Sequence, residues 1–326
     1  MTSGRDRALV AVGVLLVVGC GLPAGLLVVL ALVPSLQATA SVLALLATGI
    51  PYLPVPLLGT ALGLVLVPRR AARWASVAVL ATAVVLGSVP WWTGPAAAQP
   101  QETADDLRVV SLNTEFGQAD LGAVLALAGA ADMLAFQEIT PEFVVSLEAL
   151  GLGSDFPYRL GTAAYGPNGT MLWSRTPITL AGSASTRLTS VIASSTVRGT
   201  DWVVATVHAV SPMSGSRIWV EDGAAVEALL RPHVDEHLVV VGDFNAIDEH
   251  LTMRRLRGIG LANAMDGWPR ARGDGAQLSW PTSPKVPTLI RIDHALHAAS
   301  VSAWRPTYVV VEGTDHRAVV TTFRAR

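Results

Sequence analysis

The chain of 326 residues has one cysteine and one lysine, and only 15% of its residues are charged. Because Cys20 has no second cysteine to pair with, no disulfide forms within the chain, and a zinc site built from several thiolates is excluded. A single cysteine does not indicate whether the compartment is oxidising or reducing. So little charge, with a mean hydropathy of +0.46, excludes an ordinary soluble protein of this size.

Acidic and basic residues are distributed unevenly along the chain. Five of the 23 basic residues and one of the 25 acidic residues precede residue 101, so 18 basic and 24 acidic residues remain after it, a net charge of about −6. A protein held to DNA by phosphate contacts needs the opposite sign. We therefore expect no nucleic-acid partner for the part of the chain that follows residue 100.

Three apolar runs predict transmembrane helices at about 8–33, 41–67 and 74–92. The first run carries no charge, is long enough for the roughly 30 Å core of a bilayer, and exceeds the apolar region of a signal peptide. The second contains three prolines near its centre, which predict a kink or a break. We expect an N-terminal membrane anchor that is retained in the mature protein.

Arginines at the ends of these runs predict the orientation of the chain. Arg5 and Arg7 precede the first run, and Arg69, Arg70 and Arg73 lie between the second and third runs. By the positive-inside rule these residues are cytoplasmic. The expected protein is therefore a multi-pass cell-membrane protein with a cytoplasmic N-terminus and an extracytoplasmic C-terminal domain. A re-entrant second run would reverse the side on which that domain lies.

After the transmembrane region, 1–93, the sequence predicts a proline- and alanine-rich linker, 94–105, and one domain, 106–326. Helical periodicity covers Leu121 to Ala130, Pro141 to Leu150 and Ile218 to Leu230. Many short strands with few helices between them predict an α/β fold of two packed mixed sheets flanked by helices. The strand segments are LRVVSLN, DMLAFQE, TMLWSR, SVIASSTV, WVVATVH, HLVVVGD, RIDHALH and RAVVTTF.

Acidic, amide and imidazole side chains follow or end most of these strands. Each has an ordinary structural alternative, because Asn113 and Glu138 are suitable helix caps and His208 is suitable as a hydrogen-bonded core histidine. Their repeated occurrence at strand ends favours one shared site. The residues are Asn113, Glu138, His208, Asp243, Asn245, Asp293, Asp315 and His316.

The stretch VVVGDFNA, residues 239–246, shows how such an end is built. Because alternate side chains of an extended strand share a face, Asp243 and Asn245 are expected to project together while Phe244 packs on the opposite side. The alternative is a strand followed by an Asx turn. The same alternation predicts that His294 faces away from its neighbour Asp293, so His294 is not assigned to the site.

Six motifs, SLNTE, FQE, TVHAVSP, GDFNA, RIDH and GTDHRAV, occur in this order between Val109 and Val320. In these motifs and their order the chain resembles the endonuclease/exonuclease/phosphatase superfamily, which includes DNase I-like nucleases, sphingomyelinases and inositol-phosphate phosphatases. The resemblance implies a four-layer α/β sandwich and a metal-dependent phosphohydrolase. A relative that has lost its activity and serves as a binding module is the alternative.

The resemblance implies a Mg²⁺ site, with Mn²⁺ as a second possibility. Glu138 is expected to be the principal ligand, since hard cations prefer carboxylate oxygen. By the same resemblance Asn113 lies near the ion and the substrate, and Asp315 completes the contact. His316, held by Asp293, is expected to activate the attacking water, because an aspartate on one ring nitrogen supports the imidazolium that forms.

Contacts to the substrate are also implied by the resemblance. Asp243 is expected beside the water or the leaving oxygen, Asn245 against the phosphate, and His208 as a donor from the opposite side. Arg175 and Arg217 are further candidates for phosphate contacts, with solvated surface arginines as the alternative. Four loop residues suit either an apolar lip toward the membrane or ordinary loop packing: Pro212, Met213, Trp268 and Trp280.

The predicted anchor, the negative charge and the single lysine favour a lipid-borne phosphate over a nucleic-acid strand. An apolar N-terminal region before such a domain is also similar to the membrane-anchored actinomycete proteins of the teicoplanin-resistance (VanJ) type. That resemblance implies hydrolysis of a polyprenyl pyrophosphate such as undecaprenyl pyrophosphate, in cell-envelope recycling or glycopeptide resistance, with no obligate protein partner. An extracytoplasmic nuclease or phosphodiesterase and a non-catalytic envelope binding module are the alternatives.

Overall fold

A computed structural model describes residues 4–92, 103–185, 187–266, 278–304 and 306–326 of the chain. Within these residues the chain forms two compact units, one N-terminal and helical, the other containing the described strands. Most of the predicted linker lies outside the described residues, as does Trp268.

The N-terminal unit contains α1 (Gly4–Leu32), α2 (Ser41–Ala47), α3 (Pro54–Leu66) and α4 (Arg70–Trp92). Helices α1 and α3 approach closely at two glycines. A Cβ atom on Gly13 would lie 2.8 Å from the Gly63 carbonyl oxygen, and one on Gly63 would lie 2.7 Å from that of Gly13. Small residues allow helices to pack backbone against backbone in apolar surroundings.

The number of membrane spans differs from the prediction. Among the described residues, Asp6–Leu32 is long and apolar enough to cross a bilayer by itself. The second run is broken, as its prolines predict: Ser41–Ala47 and Ile50–Leu66 meet at a bend of 43° and form at most one further span together. The expectation of three spans is therefore wrong. The third run corresponds to α4, whose first turn contains Arg70 and Arg73.

The second unit contains thirteen described strands in two sheets, with helices on their outer faces. The strands are β1 (Leu107–Asn113), β2 (Met133–Gln137), β3 (Tyr158–Thr162), β4 (Thr170–Ser174), β5 (Ile178–Ser185), β6 (Thr189–Val197), β7 (Thr200–His208), β8 (Leu238–Asp243), β9 (Ala262–Asn263), β10 (Asp293–His297), β11 (Val301–Ala303), β12 (Thr307–Val310) and β13 (Arg317–Ala325). The helices are α5 (Leu121–Ala128), α6 (Pro141–Ala149), α7 (Leu152–Asp155), α8 (Ser216–Leu230) and α9 (Leu251–Gly258).

Each sheet has one parallel strand pair at its centre. The first sheet has the order β11-β13-β1-β2-β4-β3, with β12 also paired to β13, and the second has the order β5-β6-β7-β8-β10-β9. The pairs β1·β2 and β7·β8 are parallel, and all other pairs are antiparallel. Both sheets are therefore mixed, as the sequence predicts.

Three hydrophobic layers hold the sheets and helices together. The layer between the sheets contains alternate residues of both, such as Val109 and Val241. A second layer joins the first sheet to α5 and α6 through side chains such as Phe143. A third joins the second sheet to α8 and α9 through side chains such as Val226 and Leu256. The predicted α/β sandwich is confirmed, and α9 is a helix that the sequence analysis did not predict.

Gly242, in the strand β8, has a conformation that only glycine adopts without strain. Its φ is +145°, and a Cβ atom there would lie 2.0 Å from the Val207 carbonyl oxygen in the neighbouring strand. We expect Gly242→Ala to destabilise the full-length protein by more than about 3 kcal/mol, because the clash involves backbone that cannot move aside. Denaturant unfolding in detergent measures the change.

Gly199→Ala is the matched control, since Gly199 has a φ of +82° but no atom within 4 Å of the added Cβ. Its expected cost is about 1 kcal/mol, from backbone conformation alone. Equal destabilisation by the two substitutions would show that the close approach of β7 and β8 does not require glycine.

Candidate active site

Six strand ends meet at one edge of the sandwich. Asn113 and Gln137 are paired at the ends of the parallel strands β1 and β2, and His208 and Asp243 at the ends of β7 and β8. The antiparallel strand β10 begins opposite Asp243, and β13 begins beside the end of β1. The carboxyl ends of the parallel strands and the amino ends of their antiparallel neighbours therefore supply the site.

Alternation along the strands turns these residues toward the space between the sheets. In β8, Val239 and Val241 lie in the central hydrophobic layer, and Asp243 is the next residue on the same face. Next to the site, a hydrogen bond between polar side chains joins the two sheets: Gln137 Nε2 donates to Thr206 Oγ1 at 3.0 Å. Both of these side chains are fully buried.

Glu138 reaches the site through a local change of backbone conformation. Regular alternation would place it on the outer face of β2 with Phe136, but its φ is +54°, in the left-handed region. The Glu138 carboxylate accepts a hydrogen bond from Asn113 Nδ2 at 3.2 Å, and its carbonyl accepts one from Thr114 Oγ1 at 2.9 Å. These two hydrogen bonds stabilise Glu138 in its strained backbone conformation.

The GDFNA stretch forms an Asx turn and also presents Asp243 and Asn245 together, so both alternatives predicted from its sequence occur. The Asn245 amide donates to Asp243 Oδ1 at 2.8 Å, which forms an Asx turn, and Asn245 has a φ of +47°. Asn245 Nδ2 donates to Asp243 Oδ2 and to the Ala209 carbonyl. Phe244 is buried in the outer layer with α8 and α9, as predicted. The turn itself therefore presents Asp243 and Asn245 together.

His316 and Asp293 form a buried pair across the two sheets. Asp293 Oδ2 lies 2.9 Å from His316 Nδ1, and His316 Nε2 lies 3.9 Å from Asp243 Oδ2. Burial would lower the pKa of His316, but the charges of Asp293 and Asp243 outweigh it and raise the pKa to about 10. The Asp293 amide donates to Ser279 Oγ, which fixes the start of β10.

The remaining ionisable groups are crowded into the same space. His208 Nε2 lies 3.7 Å from both Glu138 Oε1 and Asp243 Oδ2. Burial raises the pKa of Glu138 above its usual range, with the Asn113 hydrogen bond opposing it and the Asp243 charge adding to it. Burial also raises the pKa of Asp243, against the charge of His316. Burial lowers the pKa of His208, which stays neutral at pH 7.

The donor set fits a hard divalent cation. Glu138, Asp243, Asp293 and Asp315 supply carboxylate oxygens, and the single positive charge of His316 does not neutralise these four acidic groups. Asp243, Asp293 and His316 each offer a ligand atom within 4.8 Å of the others. A cation among these three would compete with the His316–Asp293 hydrogen bond, so the corner formed by Glu138 fits better.

Asp315 and Asn113, the other two predicted metal ligands, have different hydrogen-bond partners. Asp315 Oδ2 accepts a hydrogen bond from Trp280 Nε1 at 2.7 Å, and Oδ1 lies 3.6 Å from His316 Nε2. Asn113 Oδ1 accepts from the Glu115 amide, whereas Nδ2 donates to Glu138 and Asp243. In this orientation Asn113 Nδ2 positions two carboxylates.

The structure does not bring the two predicted arginines into this cluster. Arg175 follows β4, which is antiparallel to β2, so it lies at the opposite end of the strands from Glu138. Its guanidinium donates to the carbonyl of Ala128, the last residue of α5, and to that of Ala131, which corrects the expected phosphate contact. Arg217 is exposed on α8 and pairs with Glu221.

Several residues that support the site were not assigned from the sequence. Glu115 Oε2 accepts from the Asp315 amide at 2.7 Å and so joins the turn after β1 to the segment before β13. Arg291 and Asp248 form an ion pair that joins the segments next to Asp293 and Asn245. Glu115 and Arg291 belong to the SLNTE and RIDH motifs, so the motifs contained a signal for both.

His294 faces away from the site, as predicted. Its Nε2 donates to the Ala246 carbonyl at 2.8 Å, and Asn263 Nδ2 lies 3.0 Å from Nδ1. The orientation of the Asn263 amide is fixed because Oδ1 accepts from the Met265 amide and Nδ2 also donates to Asp248. Nδ1 of His294 is therefore an acceptor, and the ring is neutral.

The sequence profile of the endonuclease/exonuclease/phosphatase family matches residues 110–316. The chain is similar in structure to an endonuclease/exonuclease/phosphatase from Beutenbergia cavernae DSM 12333, with a TM-score of 0.52 and 19% identity over 68% of this chain and 72% of that chain. It is similar to a humanized D. rerio TDP2 with 14 mutations, with a TM-score of 0.51 and 16% identity over 68% of this chain and 100% of that chain. At these identities the likeness shows the fold alone. The curated proteins contain no match.

The buried ring of His294 predicts a specific dependence of stability on pH. Burial lowers its pKa to about 4, so between about pH 6.5 and pH 4 the unfolded chain binds a proton that the folded protein does not. Stability therefore falls as the pH falls through this window, with about 3 kcal/mol attributable to His294. Denaturant unfolding at pH 7 and pH 4.5 measures the loss.

His294→Gln retains a donor for the Ala246 carbonyl and removes the titration. We expect its stability to fall less between the two pH values than that of the unchanged protein, although it is less stable at pH 7. His237→Gln, at a partly exposed position, serves as the control. Parallel pH profiles for His294→Gln and the unchanged protein would contradict the assignment.

Proposed function

Because the chain belongs to the endonuclease/exonuclease/phosphatase family, whose members are hydrolases of phosphate esters, we propose that it hydrolyses a lipid-linked pyrophosphate. The observation that carries the hydrolase assignment is the convergence of Glu138, His208, Asp243, Asp293 and His316 at one buried edge. We propose undecaprenyl pyrophosphate or a similar polyprenyl carrier as the substrate. The role would lie in cell-envelope recycling or glycopeptide resistance, as in proteins of the VanJ type.

The choice of a lipid substrate is supported by three features of the chain. The helix segment Asp6–Leu32 is long and apolar enough to hold the protein at a bilayer. The residues after 100 carry a net charge of about −6, which disfavours a nucleic-acid strand. Lys285 is the one lysine, so clusters of lysines that attract polyanions are absent from the sequence. We propose the extracytoplasmic side for the domain, as a single crossing by Asp6–Leu32 with Arg5 and Arg7 in the cytoplasm would give.

Glu138 and Asp315 would hold a Mg²⁺ or Mn²⁺ ion, with Asn113 fixing the position of the Glu138 carboxylate. When bound, this cation supplies charge stabilisation for the phosphoryl oxygens. It also offsets the mutual repulsion of Glu138 and Asp243, which burial intensifies. The proposed cation requirement would then follow from the carboxylate cluster.

The roles of the other side chains follow from their protonation. A pKa of about 10 keeps His316 protonated at neutral pH, so we propose that it does not have the water-activating role expected from the sequence and that its Nε2–H donates to a phosphoryl oxygen. Asp293 holds the ring in the required orientation. Asp243, with a raised pKa, is the group suited to accept a proton from the attacking water. We propose His208 as a donor to the phosphate, whereas Asn245 would have to release its hydrogen bond to Ala209 or to Asp243 in order to donate to it.

The first test measures phosphate release from undecaprenyl pyrophosphate by the full-length protein in detergent with Mg²⁺. Glu138→Gln is expected to lower the rate by at least about 100-fold, because it removes the charge that holds the cation. Glu227→Gln, on α8 and paired with Arg231, is a matched control that should leave the rate unchanged. Supercoiled DNA serves as a competing substrate.

Loss of phosphate release in Glu138→Gln alone would support a lipid pyrophosphatase. Nicking of DNA with the lipid untouched would overturn the substrate assignment in favour of a nuclease. If glycopeptide resistance of cells that carry the protein persists in Glu138→Gln and His316→Ala, the protein is instead a non-catalytic binding module.

A cation test is independent of activity. Mg²⁺ is expected to raise the melting temperature of the full-length protein over that measured in EDTA, since a ligand that binds only the folded state stabilises it. Glu138→Gln should lose most of this increase, and Glu227→Gln should retain it. An equal increase in all three proteins would show that Mg²⁺ acts elsewhere than at Glu138.

A further inference from the structure

A cleft opens next to the site, between the turn after β1 and the start of α6. It has a volume of about 460 Å³, which is in the range of small-molecule sites, and we call it the Phe116 cleft. Its lining includes Phe116, Leu121, Phe143 and Tyr165, together with Thr140. None of these residues belongs to the catalytic cluster described above.

The Phe116 cleft is close to the site because its two walls continue the chain from two site residues. Phe116 follows Asn113 by three residues, and Thr140 follows Glu138 by two. At about 3.8 Å between successive Cα atoms, the walls begin within about 8–11 Å of those residues. A molecule whose phosphate lies beside Glu138 therefore needs a hydrocarbon chain that extends about 8–11 Å from it to reach the walls of the cleft.

The turn that forms one wall is strained and firmly held. Glu115, Phe116 and Gly117 have φ angles of +46°, +56° and +75°, and a positive φ is an outlier for a bulky residue such as phenylalanine. Thr114 Oγ1 accepts from the Gly117 amide at 3.2 Å, and Glu115 Oε2 accepts from the Asp315 amide. The strain persists because both sides of the turn are tied to segments that carry the site.

This conformation leaves a large aromatic side chain in solvent. Phe116 is 47% exposed, and Tyr165 across the cleft is 70% exposed. Exposed apolar surface that is grouped in a concave region is characteristic of binding sites. A strained backbone that exposes a phenylalanine lowers the stability of the free protein. We therefore infer that Phe116 is exposed because it contacts a ligand.

The charge of the lining selects among ligands. The residues that form the cleft include no lysine or arginine, and Glu142 is the acidic residue among them. The Glu142 carboxylate accepts a hydrogen bond from the Tyr165 hydroxyl at 2.6 Å, which fixes the ring at the mouth of the cleft. A continuing phosphodiester strand would be repelled here, whereas an uncharged carbon chain would not.

We propose that the Phe116 cleft binds the hydrocarbon chain of the substrate beyond its first isoprene unit, so that Phe116 and Tyr165 select a lipid-borne phosphate. This inference rests on the proposed function, because it assumes that a phosphate ester is hydrolysed at the neighbouring site. It adds the residues that recognise the apolar part, which the catalytic cluster does not contact.

The test compares two pyrophosphates that differ in chain length, isopentenyl and farnesyl pyrophosphate, with the full-length protein in detergent and Mg²⁺. Phe116→Ala and Tyr165→Ala are expected to raise KM for farnesyl pyrophosphate about 10-fold, with kcat and the values for isopentenyl pyrophosphate within about twofold. Tyr165→Phe should behave like the unchanged protein, since it keeps the ring. Leu180→Ala, at an exposed apolar position on β5, is the matched control.

The outcomes separate this inference from the proposed function. Equal loss on both pyrophosphates in Phe116→Ala, or no preference for the longer chain in the unchanged protein, would overturn the cleft assignment while the phosphatase assignment stands. Hydrolysis of DNA with neither pyrophosphate cleaved would overturn the proposed function. Calorimetric titration of both pyrophosphates in EDTA then tests the cleft without turnover, and equal affinities for the two chain lengths would overturn it.

Discussion

The parallel pairing at the centre of each sheet determines where the chemistry occurs. Parallel neighbours end at the same edge, so β1 with β2 and β7 with β8 each deliver two strand ends together, and the antiparallel strands β10 and β13 begin there. The two sheets then face each other through the same set of alternate residues. Polar side chains that are far apart in sequence, such as Asn113 and Asp243, come within hydrogen-bond distance without a long loop.

This arrangement concentrates negative charge in a buried space, which opposes folding. The burial of Glu138, Asp243 and Asp293 would be unfavourable without compensation. His316 supplies one positive charge, and Asn113 and Asn245 supply amide donors. The compensation is incomplete, since the pKa of Asp243 remains raised. Such residual repulsion is expected where a site is adapted to a cation rather than to stability of the free protein.

Local rules in the sequence were sufficient for the sheets and for most of the cluster. Alternation within strands placed Phe244 and His294 on the correct faces, and strand-end polarity selected residues that do meet. The same rule fails at Glu138, which reaches the site only through a left-handed backbone conformation that its sequence does not reveal. The place of Asp243 in the site was therefore predictable from the strand pattern. The place of Glu138 was predictable only from its motif.

Other failures arose where the prediction needed the direction or length of an element in space. Arg175 ends a strand just as Glu138 follows one, but β4 runs against β2, so the two residues lie at opposite edges. Hydrophobicity alone counted three membrane spans, whereas the described residues contain one candidate span and one bent pair of short helices, and α4 belongs to neither. The α9 helix has charged residues over much of its surface, and this weakens the apolar periodicity by which helices are recognised.

The ion pairs of the second unit bear on how many of its arginines are available to bind phosphate. Arg198 pairs with Asp132, Arg257 with Asp266, and Arg324 with Asp106. An arginine whose guanidinium is engaged by a carboxylate contributes less to phosphate binding, because a phosphate must displace the carboxylate first. The excess of acidic residues therefore acts both through net charge and by occupying the arginines. Under the proposed function, selectivity would then rest on apolar contact beside the phosphate, which electrostatic attraction to a polyanion does not replace.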